Sequence, residues 1–98
     1  GELELQYALV GLDVPNSVQK RLGIRPDHLK FLDGLGDGLV LAGPFLNEAG
    51  EGVGSIVVIE AGSLAEARET FARDPYAQAG LFEQVTIKPW KLTLNKTR

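Results

Sequence analysis

Apolar and polar residues alternate at the start of the chain, with Leu3, Leu5, Tyr7 and Leu9 on one side and Glu2, Glu4 and Gln6 on the other, before Ala8 and Val10. A period of two predicts a half-buried strand over 3–10. Gly11 to Pro15 breaks that pattern, and Asn16 or Ser17 then stands where a helix cap belongs. Val18, Leu22, Leu29 and Leu32 follow at helical spacing, but Pro26 lies inside the run. An interior proline removes a backbone donor and crowds the preceding turn. The expected form is therefore one turn over 17–22, a kink at 23–26 and a longer helix to Leu35.

The glycines of Gly34-Leu35-Gly36-Asp37-Gly38 favour a turn, since each costs a helix about 1 kcal/mol relative to alanine. Leu39 to Ala42 reads as a short strand closed by Gly43-Pro44, and Asn47 to Gly54 as a loop. The β-branched run Ser55 to Glu60 suits a central strand buried on both faces and pairs with the preceding strand as a hairpin. Ser63 with Glu66 forms a capping box that starts a helix with Leu64, Ala67 and Phe71 as its apolar stripe. Pro75 ends it at Arg73 or Asp74. A short turn over 76–79 stops at Gly80, and Phe82 to Leu94 supplies a last strand, bent or bulged at Pro89.

The order strand, helix, strand, strand, helix, strand is that of an α+β, ferredoxin-like βαββαβ fold. Right-handed crossovers place both helices on one face of a four-stranded antiparallel sheet. The other face is then bare, and a second subunit is expected to cover it.

Composition narrows the function. The 98 residues fit one domain, 1–98, with no internal linker or repeat, and 44% hydrophobic with 23% charged residues is an ordinary globular balance. A net charge of -3 argues against a nucleic-acid partner, although Lys88, Lys91, Lys96 and Arg98 gather near the end. With no cysteine and one histidine, disulfides, thiolate catalysis and histidine-rich metal sites drop out. No stretch has the ~20 apolar residues of a membrane span, nor does the start show a charged segment leading into an apolar run. A cytoplasmic protein without metal or organic cofactor is expected.

His28, Phe31, Leu32 and Leu35 share one helical face, and Arg25 and Arg21 extend it backward if the kink is mild. Asp74 falls at the boundary of the other helix, on the same side of the sheet. A carboxylate in reach of an imidazole fixes its tautomer, raises its basicity and supports proton transfer, while an arginine can hold an oxyanion. Taken singly, each residue has a structural explanation: His28 as a satisfied histidine at the core edge, Asp74-Pro75 as the cap and first turn of a short helix, the arginines as a solvated face, and Gly43-Pro44 as a turn.

The motifs Arg25-Pro26-Asp27-His28-Leu29, Ala42-Gly43-Pro44, Gly54-Ser55, Arg73-Asp74-Pro75-Tyr76 and Lys88-Pro89-Trp90, in this order and spacing, resemble the YCII-related family along nearly the whole chain. That resemblance implies a subunit that pairs into a dimeric α/β barrel, with an active site around the family's histidine and aspartate, here His28 and Asp74. It also implies that Gly43, Pro44 and Ser55 lie near the pocket. Dehydrochlorination of a chlorinated hydroxyhydroquinone is an activity of a related protein, and muconolactone isomerases share the architecture. The expectation is a lyase or isomerase acting on a small cyclic or phenolic compound, with His28 as acid or base, Asp74 orienting it, Arg25 or Arg21 on an oxygen anion and Ser55 positioning substrate. The alternative is a domain that binds a small ligand without reaction.

Overall fold

A computed structural model of the chain describes residues 5–97. The first strand, β1, spans Leu5–Asp13, and the start expected for it at Leu3 lies outside the described residues. Helix α1 (Val18–Gly34) leads through a 3-10 turn at Gly36–Gly38 to the hairpin of β2 (Leu39–Leu46) and β3 (Gly52–Ala61). Helices α2 (Leu64–Ala72) and α3 (Pro75–Gln78) then precede β4 (Phe82–Trp90). All pairings are antiparallel and the strand order is β2-β3-β1-β4. This is the ferredoxin-like arrangement, with α3 as an added turn of helix.

One sheet face carries the core. Tyr7 and Leu9 from β1 and Val57, Ile59 and Ala61 from β3 meet Leu32 of α1 and Ala67 and Phe71 of α2, so both long helices pack on that face. The capping box forms: Ser63 Oγ accepts from the Glu66 amide at 3.1 Å, and the Glu66 carboxylate reaches back to the Gly62 amide at 3.2 Å. Ser17 occupies the cap position of α1, but its side chain makes no cap bond. Asn16 turns the chain into the helix with φ of 61°, a conformation asparagine tolerates well.

Three expectations about proline fail for related reasons. Pro44 does not close β2, which runs on to Leu46, and Pro89 leaves the β1–β4 register unbroken, the only shift falling at Leu12/Asp13. Both prolines sit on edge strands, where one side of the backbone has no ladder to complete. Strand β4 also ends at Trp90 rather than Leu94. In α1 the helix passes through Pro26 without interruption. Leu22, whose carbonyl loses its partner, is 54% exposed, so water can replace the missing donor.

The opposite sheet face is partly open and mixes apolar side chains with Gln6, Glu60, Gln84, Thr86 and Lys88. Alternation along the strands turns Leu12 of β1 and Leu41 and Phe45 of β2 outward, with Trp90 at the end of β4, and each is about two-fifths exposed. No helix among the described residues is long and apolar enough to cross a membrane.

Candidate active site

Helix α1 buries a polar face. Its buried residues are Arg21, His28 and Leu32, whereas Leu22 and Leu29, expected in the core, are exposed. The steps from Arg21 to Arg25, His28 and Leu32 keep all four on one side of the helix, turned toward β2, β3 and α3. Continuity through Pro26 is what brings the arginines into line with the histidine.

Asp74 stands at the N-cap of α3. Pro75 holds it extended, at φ -62° and ψ 128°, and its Oδ1 accepts the Tyr76 amide at 2.9 Å. The same oxygen lies 2.8 Å from Nδ1 of His28, with both residues buried. A carboxylate has only acceptors, so the bond requires a proton on Nδ1 and leaves the lone pair of neutral His28 on Nε2. Among the described residues Nε2 has no protein partner, and no buried side-chain nitrogen or oxygen is unsatisfied. Nε2 therefore opens to the cavity that His28 lines. The structural and chemical roles weighed for Asp74 coexist: the one oxygen caps α3 and holds the imidazole.

Tyr76 fixes the ring's plane. It stacks on His28 with centroids 3.9 Å apart and planes 16° from parallel, and Phe82 braces it edge-on at 6.2 Å. The tyrosine is 1% exposed, yet its hydroxyl has no protein hydrogen bond among the described residues and it borders the same cavity. Burial pushes the hydroxyl above its ordinary value of 10.0, against the opposing pull of Arg21 and Arg25, so it stays a proton-bearing donor.

Arg21 is committed elsewhere. One guanidinium nitrogen donates to both Asp13 oxygens at 2.9 Å, and the other donates to the Gly54 carbonyl at 2.6 Å and to Ser55 Oγ. Its guanidinium carbon lies 4.5 Å from the Tyr76 ring centre. A Cβ at Gly52 would stand 2.9 Å from Arg21 Nε, so glycine there makes room for the side chain. Burial raises the Asp13 carboxyl, and the bond and charge of Arg21 pull it back down. Arg25, one turn on, is exposed and has no ion-pair or hydrogen-bond partner among the described residues.

The cavity has a volume of about 170 Å³ and brings together Arg21, Arg25, His28, Gly43, Pro44 and Ser55, with Asp74 behind the imidazole rather than in the wall. Every site residue named from sequence is thus placed in or against one pocket. Two were missed. Asp13 was absorbed into the segment expected to break β1, and Tyr76 was noted only as part of the Asp-Pro-Tyr motif. An acidic residue at a strand end beside an arginine-bearing helix is a weak signal, because the pairing crosses a turn and has no fixed spacing. No group of three or more His, Cys, Asp or Glu side chains able to hold a metal occurs among the described residues.

Comparison with known proteins places this geometry in context. A model of the YCII-related domain matches residues 5–91. Protein YciI of Escherichia coli is 39% identical over 93 residues, covering 87% of this chain and 95% of the relative. An uncharacterized protein of Haemophilus influenzae is 35% identical over 96 residues, covering 89% and 97%. Among solved structures, 5-chloro-2-hydroxyhydroquinone dehydrochlorinase of Burkholderia phenoliruptrix, in complex with 2,5-dihydroxybenzoquinone, superposes with a TM-score of 0.81 at 28% identity, covering 89% of this chain and 94% of that one.

Proposed function

The chain belongs to the YCII-related family, and on that premise we propose that it is a lyase or isomerase that moves a proton on a small hydroxylated cyclic compound. The observation that carries this reading is the 2.8 Å bond from His28 Nδ1 to Asp74, which leaves Nε2 facing a cavity beside an arginine with no ion-pair partner among the described residues. In the step proposed, Nε2 accepts a proton from substrate carbon or hydroxyl. The electron pair left behind either expels a leaving group as an anion or relocates the double bond, after which the imidazolium returns the proton to substrate or to water. Asp74 and the Tyr76 face stabilise the imidazolium while it lasts. Arg25 and the Tyr76 hydroxyl hold the oxyanion, and Ser55, already bonded to Arg21, shapes the floor.

The dehydrochlorinase likeness supports the substrate class, since that protein was solved with a dihydroxybenzoquinone bound. The test is a screen of hydroxylated and chlorinated aromatic compounds with native protein and His28→Ala. Turnover by the native protein that falls by about 10²-fold or more in the variant is expected. Binding without turnover in either protein would leave ligand recognition as the function.

A homodimer is proposed with it, through the open face of Leu12, Leu41, Phe45 and Trp90. Solution mass at micromolar concentration should be twice that of the chain; a stable monomer removes the barrel.

A further inference from the structure

A second cavity of about 340 Å³ adjoins the first, sharing Arg21, Arg25 and Pro44 as a common wall. It lies between the first half of α1 and the β2–β3 hairpin, and its apolar lining comes from Val18 and Leu22 on one side and Pro44 and Leu46 on the other. Here the stripe that sequence spacing assigned to the core finds its use. Leu22 and Leu46 are 54% and 59% exposed, among the largest exposures of any apolar side chain in the described chain, and they face one groove. Gln19 and Glu51 supply polar groups at its rim, with the Glu51 carboxylate accepting from Asn47 at 3.1 Å.

Size separates the two cavities. Pockets that bury most of a small organic ligand run from about 300 to 1,000 Å³. At about 170 Å³ the His28 pocket takes a single substituted ring, and only with its neighbour does the site enter that range. Charge gives the direction: Arg25, without an ion-pair partner among the described residues, stands at the junction, so an acidic group is held there while the apolar remainder extends away from His28.

We infer that the site is bipartite and takes an acidic ring bearing an apolar substituent, the ring against His28 and the substituent between Leu22 and Leu46. For the ring this rests on the proposed function; for the substituent it goes further. The probes are 2,5-dihydroxybenzoquinone and its 3-hexyl derivative, titrated calorimetrically into native protein, Leu22→Asp, Leu46→Asp and His28→Ala. Burial of the chain should make the hexyl compound at least ~10-fold tighter on native protein. Both aspartate variants should bring the two compounds to nearly equal affinity, and His28→Ala should keep the preference. Two variants on opposite walls guard against misfolding of either. Equal affinities on native protein, as when a partner subunit's side chains fill the groove, overturn the inference, and so does a preference that survives both variants. If neither ring compound binds, sodium octanoate replaces them, read by methyl NMR shifts of Leu22 and Leu46. Unmoved signals overturn the apolar subsite. Moved signals without turnover of any ring compound sustain the subsite and defeat the proton-transfer reading instead.

Discussion

Two buried pairs of opposite polarity hang from α1, and they are built to different ends. Arg21 spends both terminal guanidinium nitrogens on Asp13, Ser55 and the Gly54 carbonyl, tying the helix to β1 and β3, and only its Nε is without a protein partner among the described residues. His28 spends one nitrogen on Asp74 and keeps the other open to the cavity. Two terminal nitrogens bonded wholly to the protein mark a structural tie, because a buried charge stripped of its partners costs stability. An incomplete pair at the wall of a cavity has room for a ligand. The difference teaches that burial of a charge is no guide to chemistry until its remaining bonding capacity is counted.

Replacing Arg21 is the harshest way to break the comparison. Arg21→Met leaves the Asp13 carboxylate, 4% exposed in its side chain, without its cation. A loss of about 3–5 kcal/mol in urea unfolding at neutral pH is expected. Adding Asp13→Leu should recover much of it, as neutral replacement of a whole buried pair often does. A double variant no more stable than the single would show that the bonds to Gly54 and Ser55, rather than the charge, hold the helix. Asp74→Asn tests the other pair. Asparagine keeps an acceptor for the Tyr76 amide, so the α3 cap persists and stability should fall by less than about 1 kcal/mol. Turnover of whatever substrate the screen finds should drop by about 10²-fold or more, since the neutral amide keeps the acceptor for Nδ1 but no longer balances the charge of the imidazolium. Equal loss of stability and activity would make Asp74 a cap and nothing more.

The same contrast explains what was legible in the sequence. Where pattern and burial agree, reading succeeds: β1 alternates as Tyr7 and Leu9 turn inward, and Ser63 with Glu66 starts α2, although β1 runs on to Asp13 past the break expected at Gly11. In α1 they disagree. The helix buries Arg21, His28 and Leu32 and exposes Leu22 and Leu29, so of the apolar positions at helical spacing only Leu32 enters the core, while the face shared by His28, Phe31, Leu32 and Leu35 is the one that packs. Helix placement together with the resemblance to the YCII-related family still brought His28 and Asp74 to one pocket. The Asp13–Arg21 tie was not legible, because it depends on how the β1–α1 turn folds back. Nor were the effects of Pro44 and Pro89, which hinge on strand order and hence on the edge positions of β2 and β4.

Gly52→Ala is a milder strike on the Asp13–Arg21 pair. The new methyl would sit 2.9 Å from Arg21 Nε, and that side chain is held by its partners and has little freedom to yield. A loss of about 1–3 kcal/mol in urea unfolding is expected. In the Arg21→Met background the side chain has the same reach but no bonds to hold it, so it can swing away from the new methyl and the same substitution should cost less there. Equal costs in both backgrounds would place the strain elsewhere.

The smallest effect is a pH dependence, and it separates charge from contact in the Asp13–Arg21 pair. The folded carboxyl of Asp13 titrates above its ordinary 3.8 because burial outweighs Arg21. The fold therefore retains this proton where the unfolded chain has released it, and unfolding free energy falls as pH rises through that interval. The contribution is complete below pH 3.8 and is lost above the folded value. Removing Arg21 deletes the influences that lower it, so in Arg21→Met the interval extends further upward. The variant's deficit relative to native protein should accordingly be largest at neutral pH and narrow as the pH falls and Asp13 takes up its proton in both. Urea titrations of the two proteins between pH 7 and pH 4 measure it. A deficit constant over that range would mean that Arg21 acts through its bonds to Gly54 and Ser55 alone, and that the two pairs on α1 differ in geometry but not in electrostatic role.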